Sequence, residues 1–388
     1  MKVVRKSVVA MKCLIPIILI CCLHGHLTAG EPPTTVPHPT TLPAPRELAR
    51  LEETSGGIVC FSRDGSRILT TNGSGMMSQA QVWDARTYKP IGEVLEHGEN
   101  LRRAEFDATA TKLLTVGHSR KDEKDVAEDA KLWDVRTGKL LFAFRHGNLP
   151  LTDAALSPDG KTVATCNEND FTIRLWNAAT GKQTGTLVHK TTLDVDSVQF
   201  DSSGSTLVTS GQFFVALWDV PTSKLRATLA DFRPESVPAI SADGKRIAFA
   251  DFYFFVVYDL ITAKKLYEIH PQLHLDQNIA GLSINADGTR VAMTSMAGKD
   301  GGAVWDLATG APLLEVADAL TGIPALSPDG TKVVFDPLDP PHLWDVSSRR
   351  PFKLSDDFRI YTAAFSPDGK RLAMAGTRYT AILEIDGK

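Results

Sequence analysis

The sequence predicts an all-β protein that folds as a single β-propeller of eight four-stranded blades, with the ring closed by an N-terminal strand. A five-residue turn signature occurs eight times between Phe61 and the C-terminus. A Trp-Asp dipeptide or a near equivalent follows each signature at a similar distance, and the last copy ends before a fourth strand could form. Self-similarity at a period of about 40 residues is typical of propellers and other repeat architectures.

The turn signature shows where the strands of each copy lie. An apolar strand leads into the turn, where Pro presets φ and Asp-Gly supplies the left-handed residue. A second strand follows (KTVATC at 161–166 in the third copy), then a variable loop, a strand that ends in Trp-Asp, and an outer strand. The eight copies are FSRDG (61–65), FDATA (106–110), LSPDG (156–160), FDSSG (200–204), ISADG (240–244), INADG (284–288), LSPDG (326–330) and FSPDG (365–369).

All six tryptophans stand at one position of the repeat, and five of them are followed by Asp. Successive positions lie 50, 43, 42, 40, 47 and 39 residues apart, and Leu383-Glu384 occupies the position in the eighth copy. Because one blade cannot bury both of its faces alone, we expect these side chains to fill the space between blades. The first seven dipeptides are Trp83-Asp84, Trp133-Asp134, Trp176-Asn177, Trp218-Asp219, Tyr258-Asp259, Trp305-Asp306 and Trp344-Asp345.

The runs KLWDVRTGK (131–139) and IRLWNAATGK (173–182) resemble the WD40 repeat family, in particular its exported, bacterial-type members. The resemblance covers about 330 residues. It implies a structural histidine in the loop before a blade, which hydrogen-bonds to a loop aspartate of that blade. His97, His146 and His189 match this histidine, and Asp170 matches the aspartate. A structural role is therefore favoured over ligand binding for these histidines.

The predicted propeller spans residues 46–388, and its ends indicate how the ring closes. The chain stops after the third strand of the eighth copy, so the missing outer strand must come from elsewhere. The segment ELARLEE (47–53) precedes the first turn signature at the place where other copies have an outer strand. We expect it to pair onto the last blade. A seven-bladed ring with one copy outside it is the alternative.

The first 45 residues predict a targeting segment and a linker. Residues 1–30 are predicted to be a signal peptide. Four basic residues precede an apolar run at 13–23, and the small residues of LTAG (27–30) are suited to cleavage. An uncleaved anchor and lipid attachment at Cys21 or Cys22 are the alternatives. Residues 31–45, rich in Pro and Thr, predict an extended linker that acts either as a spacer or as a tail without a role. The protein is expected to be periplasmic, secreted or tethered to the envelope.

The composition narrows the classes of partner. Removing the four basic residues of the signal peptide leaves 38 Lys and Arg against 46 Asp and Glu, so the net charge moves from −4 to −8. This balance disfavours nucleic acid as a partner. We expect a monomer whose mature domain does not insert into a membrane. Cys60 and Cys166, the cysteines that remain after processing, are interpreted as two buried thiols.

No catalytic, cofactor or metal motif is recognised in the sequence. The loop at 117–129 is crowded with acidic residues but lacks the alternating spacing and central Gly of a calcium loop, so a solvated insertion is favoured. An exported propeller enzyme of the quinoprotein or lactonase type is the alternative to a binding protein. Leu141 and Phe142 stand where the quinoprotein docking motif would continue to a Trp, which counts against this alternative.

The loops that join the second to the third strand, and those that join successive blades, share one face of the propeller, called here the loop face. The signature and TGK turns share the opposite face, called here the turn face. Long loops on a rigid scaffold are where recognition usually lies. Five aromatic residues of copies three to five occupy adjacent loop tips, namely Phe171, Phe213, Phe214, Tyr253 and Phe254. They predict either an exposed binding patch or ordinary core between blades. The function expected is a non-enzymatic, extracytoplasmic scaffold that presents the loop face to a protein or peptide.

Overall fold

Eight four-stranded antiparallel sheets form the propeller, which confirms the all-β fold and the count of eight blades. The computed structural model describes residues 41–385 apart from 53–55, 73–77, 99–100, 118–129, 147–150, 168–170, 190–193, 212, 231–233, 235, 252, 272–278, 296–300, 318–321, 336–341, 353 and 355–359. The predicted signal peptide, most of the linker, Asp170 and nearly all of the acidic loop lie outside these residues. Within the described part of the chain, no helix has the length and apolarity needed to cross a membrane.

The blades follow one another along the chain. Blades one to four contain β2 (Gly56–Phe61), β3 (Arg67–Asn72), β4 (Ser78–Asp84) and β5 (Pro90–Gly98); β6 (Leu101–Phe106), β7 (Lys112–Gly117), β8 (Ala130–Asp134) and β9 (Leu140–Phe144); β10 (Asp153–Leu156), β11 (Thr162–Cys166), β12 (Thr172–Asn177) and β13 (Gln183–Val188); and β14 (Val195–Phe200), β15 (Thr206–Gly211), β16 (Phe214–Asp219) and β17 (Lys224–Ala230). Blades five to seven contain β18 (Ala239–Ile240), β19 (Arg246–Ala250), β20 (Phe255–Asp259) and β21 (Lys265–Ile269); β22 (Ile279–Ile284), β23 (Arg290–Ser295), β24 (Gly302–Asp306) and β25 (Ala311–Val316); and β26 (Ala325–Leu326), β27 (Lys332–Phe335), β28 (His342–Asp345) and β29 (Arg350–Pro351). Blade eight contains β30 (Ile360–Phe365), β31 (Arg371–Gly376), β32 (Thr380–Glu384) and the N-terminal strand β1 (Arg46–Leu51).

The ring is closed by β1, as the sequence predicts. β1 pairs antiparallel with β32, in a register that runs from Arg46 opposite Glu384 to Leu51 opposite Thr380. Leu51 is buried in the core cluster that joins blade eight to blade one. Because β32 ends on the turn face, β1 starts there and runs toward the loop face. The chain therefore enters the propeller from the turn face.

The end of the predicted linker contacts the propeller next to the closing strand. The amide of Leu42 donates to the carbonyl of Pro351 at 2.7 Å, and a guanidinium nitrogen of Arg350 donates to the carbonyl of Thr41 at 3.3 Å. Both partners belong to β29, the outer strand of blade seven. The described residues of the linker therefore lie along this edge before the chain joins blade eight.

The hydrophobic core is divided into eight clusters, each shared by two neighbouring blades. The cluster between blades one and two, for example, combines Leu69 and Leu95 with Trp133. Every cluster contains the hallmark residue of the later blade, so these side chains occupy the space between blades. In ring order from the junction of blades eight and one they are Trp83, Trp133, Trp176, Trp218, Tyr258, Trp305, Trp344 and Leu383.

The hydrogen bonding of the indole N–H groups differs between the first four blades and the later ones. In blades one to four each Trp donates to a Thr hydroxyl on the second strand, at 2.7 Å for Trp83 and Thr70 and at 2.8 Å for Trp133 and Thr115. The corresponding pairs in blades three and four are Trp176 with Thr165 and Trp218 with Thr209. Blades six and seven have Met293 and Phe335 in place of the Thr, and the buried indole nitrogens of Trp305 and Trp344 have no hydrogen-bond partner. An unmade bond of this kind costs about 1–3 kcal/mol.

The Asp of the hallmark dipeptide stabilises the turn that follows it. Asp134 accepts hydrogen bonds from the backbone amide of Thr137 at 2.8 Å and from its hydroxyl at 2.7 Å. These bonds to the Thr137 hydroxyl and amide lower the pKa of the Asp134 carboxyl, since they favour its charged form. The same amide bond, three residues along the chain, is made by Asp84, Asn177, Asp219, Asp259, Asp306 and Asp345.

Neighbouring blades are also joined on the turn face. A basic side chain at the start of the second strand donates to the carbonyl of the turn glycine of the next blade. Lys112 reaches Gly160 at 2.6 Å, Arg290 reaches Gly330 at 2.7 Å, and Arg371 reaches Gly65 at 3.2 Å across the closure of the ring. Each bond caps a carbonyl that the turn leaves unpaired and links one blade to the next.

The innermost strands of blades five and seven are two residues long, shorter than those of the other blades. Pro238 directly precedes β18, and Pro324 directly precedes β26. Each of these strands is an edge strand of its sheet, and a proline, which has no backbone N–H, cannot donate a hydrogen bond to the neighbouring strand. The ladder therefore starts after the proline in both blades.

The turn after the third strand places one residue in the left-handed region in seven blades. Gly138, Gly181 and Gly310 adopt it with φ of 73°, 67° and 68°. Non-glycine residues do so in the other four blades, with φ of 57° for Tyr88, 56° for Ser223, 57° for Ala263 and 57° for Arg349. A residue with a Cβ pays about 1–2 kcal/mol for this conformation.

We expect Ser223→Gly to raise the free energy of unfolding by up to about 1 kcal/mol, because glycine adopts the left-handed conformation without the Cβ clash. Ser223 is exposed, so little packing is lost. Ala179→Gly is the matched control, since Ala179 is exposed in the same turn of blade three but is not at positive φ. Urea unfolding measures the free energy of unfolding of both variants. A Ser223→Gly variant that is less stable than the wild type would contradict backbone strain at Ser223.

Candidate functional site

The loop face of blades four and five carries two exposed aromatic side chains. Phe213 lies at the tip of the hairpin between β15 and β16, where Gly211 pairs with Phe214, and it is 49% exposed. Tyr253 occupies the corresponding hairpin between β19 and β20 and is 57% exposed. Large aromatic side chains bury far more surface than this in a core. Both therefore face solvent on neighbouring blades.

Phe171 contributes the third aromatic side chain at the corresponding loop of blade three. It is half-buried and has a φ of 53°, so it lies in the left-handed region that non-glycine residues rarely adopt. Thr172, the next residue, begins β12 and pairs with Val188 at the end of β13. The backbone at Phe171 is thus held in a strained conformation at the rim of the loop face.

One of the five predicted aromatic residues belongs to the interior, and another packs partly against its own blade. Phe214 is only 2% exposed and stacks on the ring of His189, with the ring centroids 4.2 Å apart. Phe254 is half-buried, and its ring lies 5.1 Å from that of His270. Successive side chains of an extended chain point in opposite directions, so Phe213 and Phe214 cannot both face solvent. The expectation that Phe214 is part of an exposed patch is therefore corrected.

Two valines that the sequence reading did not single out extend the same arc. Val188 ends the outer strand of blade three and is 62% exposed, and Val237 lies between blades four and five and is 56% exposed. Alternation in QTGTLV could have indicated Val188, because Leu187 beside it is buried. Val237 stands in a loop without periodicity, so no pattern marks it. We call Phe171, Val188, Phe213, Val237 and Tyr253 the loop-face patch.

Histidines support the loops that lead into this face. Nδ1 of His97 lies 2.8 Å from the hydroxyl of Thr115, which also accepts the indole N–H of Trp133. His146 is buried, with Nε2 3.2 Å from the hydroxyl of Thr172. The ring of His189 stacks on that of Phe214. These contacts join each loop to the blade that follows it.

Protonation of His97 is expected to destabilise the folded protein. Burial, and secondarily the charge of Lys131, lowers the pKa of its imidazole to about 4. The unfolded pKa is near 6.5, so the contribution of neutral His97 is complete above that pH and is lost as the pH falls toward 4. Between pH 7 and pH 5, the free energy of unfolding should fall by about 2 kcal/mol more in the wild type than in His97→Gln. Urea unfolding at both pH values measures this, and equal losses would contradict it.

A second set of polar contacts lies on the innermost strands. One guanidinium nitrogen of Arg103 donates to Asp153 and to the carbonyl of Val198, both at 2.8 Å, and the other donates to Glu105 at 3.1 Å. The contacts tie blades two, three and four together around the axis. Although burial opposes the charge of Arg103, the two carboxylates outweigh it and raise the pKa of its guanidinium.

No group of three or more His, Cys, Asp or Glu side chains that could hold a metal ion occurs in the described part of the chain. The thiol of Cys166 is buried, whereas Cys60 is half-buried on the innermost strand of blade one, which corrects the expectation of two buried thiols. Burial, and secondarily the nearby charge of Glu105, raises the pKa of the Cys60 thiol to about 12. Cys60 is therefore neutral at pH 7.

Comparison with known proteins agrees with the repeat architecture. The family model "WD domain, G-beta repeat" matches residues 138–177, which cover the outer strand of blade two and the first three strands of blade three. THO complex subunit 6 of Arabidopsis thaliana is 31% identical over 121 residues, which is 30% of this chain and 32% of that protein. The chain thus matches about a third of the length of this relative. The chain is thus an eight-bladed β-propeller with repeated Trp-Asp dipeptides, and the repeat at 138–177 matches the WD40 family.

Proposed function

We propose that the protein is a non-enzymatic interaction scaffold outside the cytoplasm, which presents its loop face to a protein or peptide partner. The observation that carries this proposal is the exposure of Phe213 and Tyr253 at corresponding loop tips of adjacent blades. Exposed apolar side chains grouped in this way mark interaction sites, and aromatic residues are enriched among those that dominate binding energy.

The loop-face patch has the composition expected of a protein-binding surface. Its members are aromatic and aliphatic, and they extend over three consecutive blades from Phe171 to Tyr253. Part of the surface is fixed in place by the strained backbone at Phe171 and by the buried ring of Phe214, which adjoins Phe213. A preorganised surface loses less conformational entropy on binding. The relative from Arabidopsis thaliana is named as a subunit of a complex, which also favours a role in protein assembly.

The direction of β1 supports the choice of face. The chain enters the ring from the turn face, at the register where Arg46 pairs with Glu384. A tether that precedes residue 46 would therefore leave the loop face free for a partner. Export follows from the signal-like residues 1–30, and the Pro-rich and Thr-rich residues 31–45 would act as a spacer. The net charge of −8 after processing disfavours nucleic acid, and the protein would act as a monomer.

We expect the double variant Phe213→Ala, Tyr253→Ala to bind its partner at least tenfold more weakly than the wild type, because aromatic hot-spot residues each contribute more than about 1 kcal/mol. The full chain is used for affinity capture from extracytoplasmic and cytoplasmic fractions of the source cells. Quantitative mass spectrometry identifies the partner, and titration with the purified partner gives the dissociation constants.

Ile261→Ala is the matched control, since Ile261 is 67% exposed on the turn face of the same blade as Tyr253. The control should retain the partner, and all three proteins should unfold at the same temperature. Equal binding by the double variant and the wild type would contradict the assignment of the loop face. Capture of the partner only from the cytoplasmic fraction would contradict export.

A further inference from the structure

A cavity of about 360 Å³ lies near the turn face, beside the innermost strands of the ring. Its wall is formed by the ends of the innermost strands of blades one, two, four and five and by the signature turns of blades one to five. Sites for small molecules have volumes of about 300–1,000 Å³. The cavity is therefore large enough for a small organic ligand, and it is separate from the loop-face patch.

The mouth of this cavity is spanned by Arg63. Its guanidinium donates to the carbonyl of Ser202 at 3.1 Å and to that of Ala242 at 3.2 Å. Blade one thus contacts blades four and five directly across the ring. The corresponding turn position in the other copies holds a small residue or proline, namely Ala108, Pro158, Ser202, Ala242, Ala286, Pro328 and Pro367. Arg63 is thus the charged member of this set. Its guanidinium binds two backbone carbonyls at the mouth of the cavity.

The interior of the cavity is rich in hydrogen-bond acceptors. The innermost strands place Cys60, Glu105 and Gln199 at the same register position, one residue before the signature turn, and all three line the wall. The other blades have Ala155, Ala239, Ser283, Ala325 and Ala364 there, so the large polar groups gather on one side. The buried Oε1 of Gln199 accepts no hydrogen bond from the protein. A ligand that donates hydrogen bonds would satisfy it.

The charges around the cavity leave an excess of one negative charge. Two guanidinium groups, from Arg63 and Arg103, stand against the carboxylates of Glu105, Asp153 and Asp201. Asp201 is satisfied by the amide of Thr206 and the hydroxyl of Ser203. Glu105 shares Arg103 with Asp153, and its carboxylate also accepts from the amide of Leu156 at 3.4 Å. A ligand with a single positive charge matches this imbalance.

Aromatic side chains complete the wall. Phe61, Phe106 and Phe200 end the innermost strands of blades one, two and four and line the cavity beside the polar groups. These rings offer apolar contact for a hydrocarbon group. A hydrated inorganic cation would gain little from these rings. An organic cation with an apolar body would use both the rings and the acceptors.

We propose that the cavity binds a small organic amine in its ammonium form, with the ammonium group at Glu105 and Gln199 and the apolar body against the three phenylalanines. Arg63 spans the mouth of the cavity, and its positive charge repels that of the ligand. The site lies on the opposite side of the ring from the loop-face patch, so a partner on the loops would leave it accessible.

The proposal is tested by isothermal titration of the full chain with phenethylamine and with 2-phenylethanol, which has the same apolar body without the charge. We expect one molecule of the amine to bind per chain and the alcohol to bind at least tenfold more weakly. The absence of binding by the amine, equal binding of both compounds, or binding of calcium in place of the amine would overturn the proposal.

Two variants locate the site. Glu105→Gln keeps the shape of the side chain and removes its charge, and Ala104→Leu fills the cavity without changing its charge. Each should weaken amine binding at least tenfold, while Glu315→Gln on the exposed outer strand of blade six should not change it. Arg63→Ala removes a positive charge at the mouth and should strengthen amine binding. Unchanged binding by both Glu105→Gln and Ala104→Leu, with unchanged thermal unfolding, would overturn the proposal.

Discussion

The structure depends on burying the apolar space between neighbouring blades. A single four-stranded sheet exposes two faces, and each becomes buried only when a blade packs on either side. The hallmark Trp fills this space at six of the eight junctions, and Tyr258 and Leu383 do so at the other two. Every junction must be occupied for the core to be complete. The junction between blades eight and one therefore has the same importance as the others, although it joins the two ends of the chain.

Closure through β1 links the ends of the chain to the arrangement of the faces. Leu51 completes the core at the last junction, and Thr362 of blade eight accepts from the amide of Val59 and donates to the carbonyl of Gly57 in blade one. Because β1 enters from the turn face, the N-terminal segment is associated with the turn face, and the loop face is left open. The loop-face patch and the cavity lie on these two different sides, so the ring can present two separate binding surfaces.

The sequence was sufficient to predict the blades, because the turn signature and the Trp-Asp dipeptide each occupy a position that the backbone geometry requires. Asp134 shows this requirement, since only a side chain that accepts hydrogen bonds can hold its turn. Exposure was harder to predict. Phe213 and Phe214 are adjacent and identical in type, and only the register of β15 with β16 decides which is buried. The contact of Arg63 joins residues 139 and 179 positions apart, which no local pattern can indicate.

Closure of an eight-bladed ring by the N-terminal strand is tested most directly by the double variant Arg46→Cys, Glu384→Cys. The two residues are paired in the register of β1 and β32, at a separation that a disulfide can span. Peptide mapping under non-reducing conditions should detect the link between them, and the control Arg46→Cys, Glu315→Cys should not form one. Absence of the link between residues 46 and 384 in the folded protein, or equal linking in the control, would contradict the closed ring.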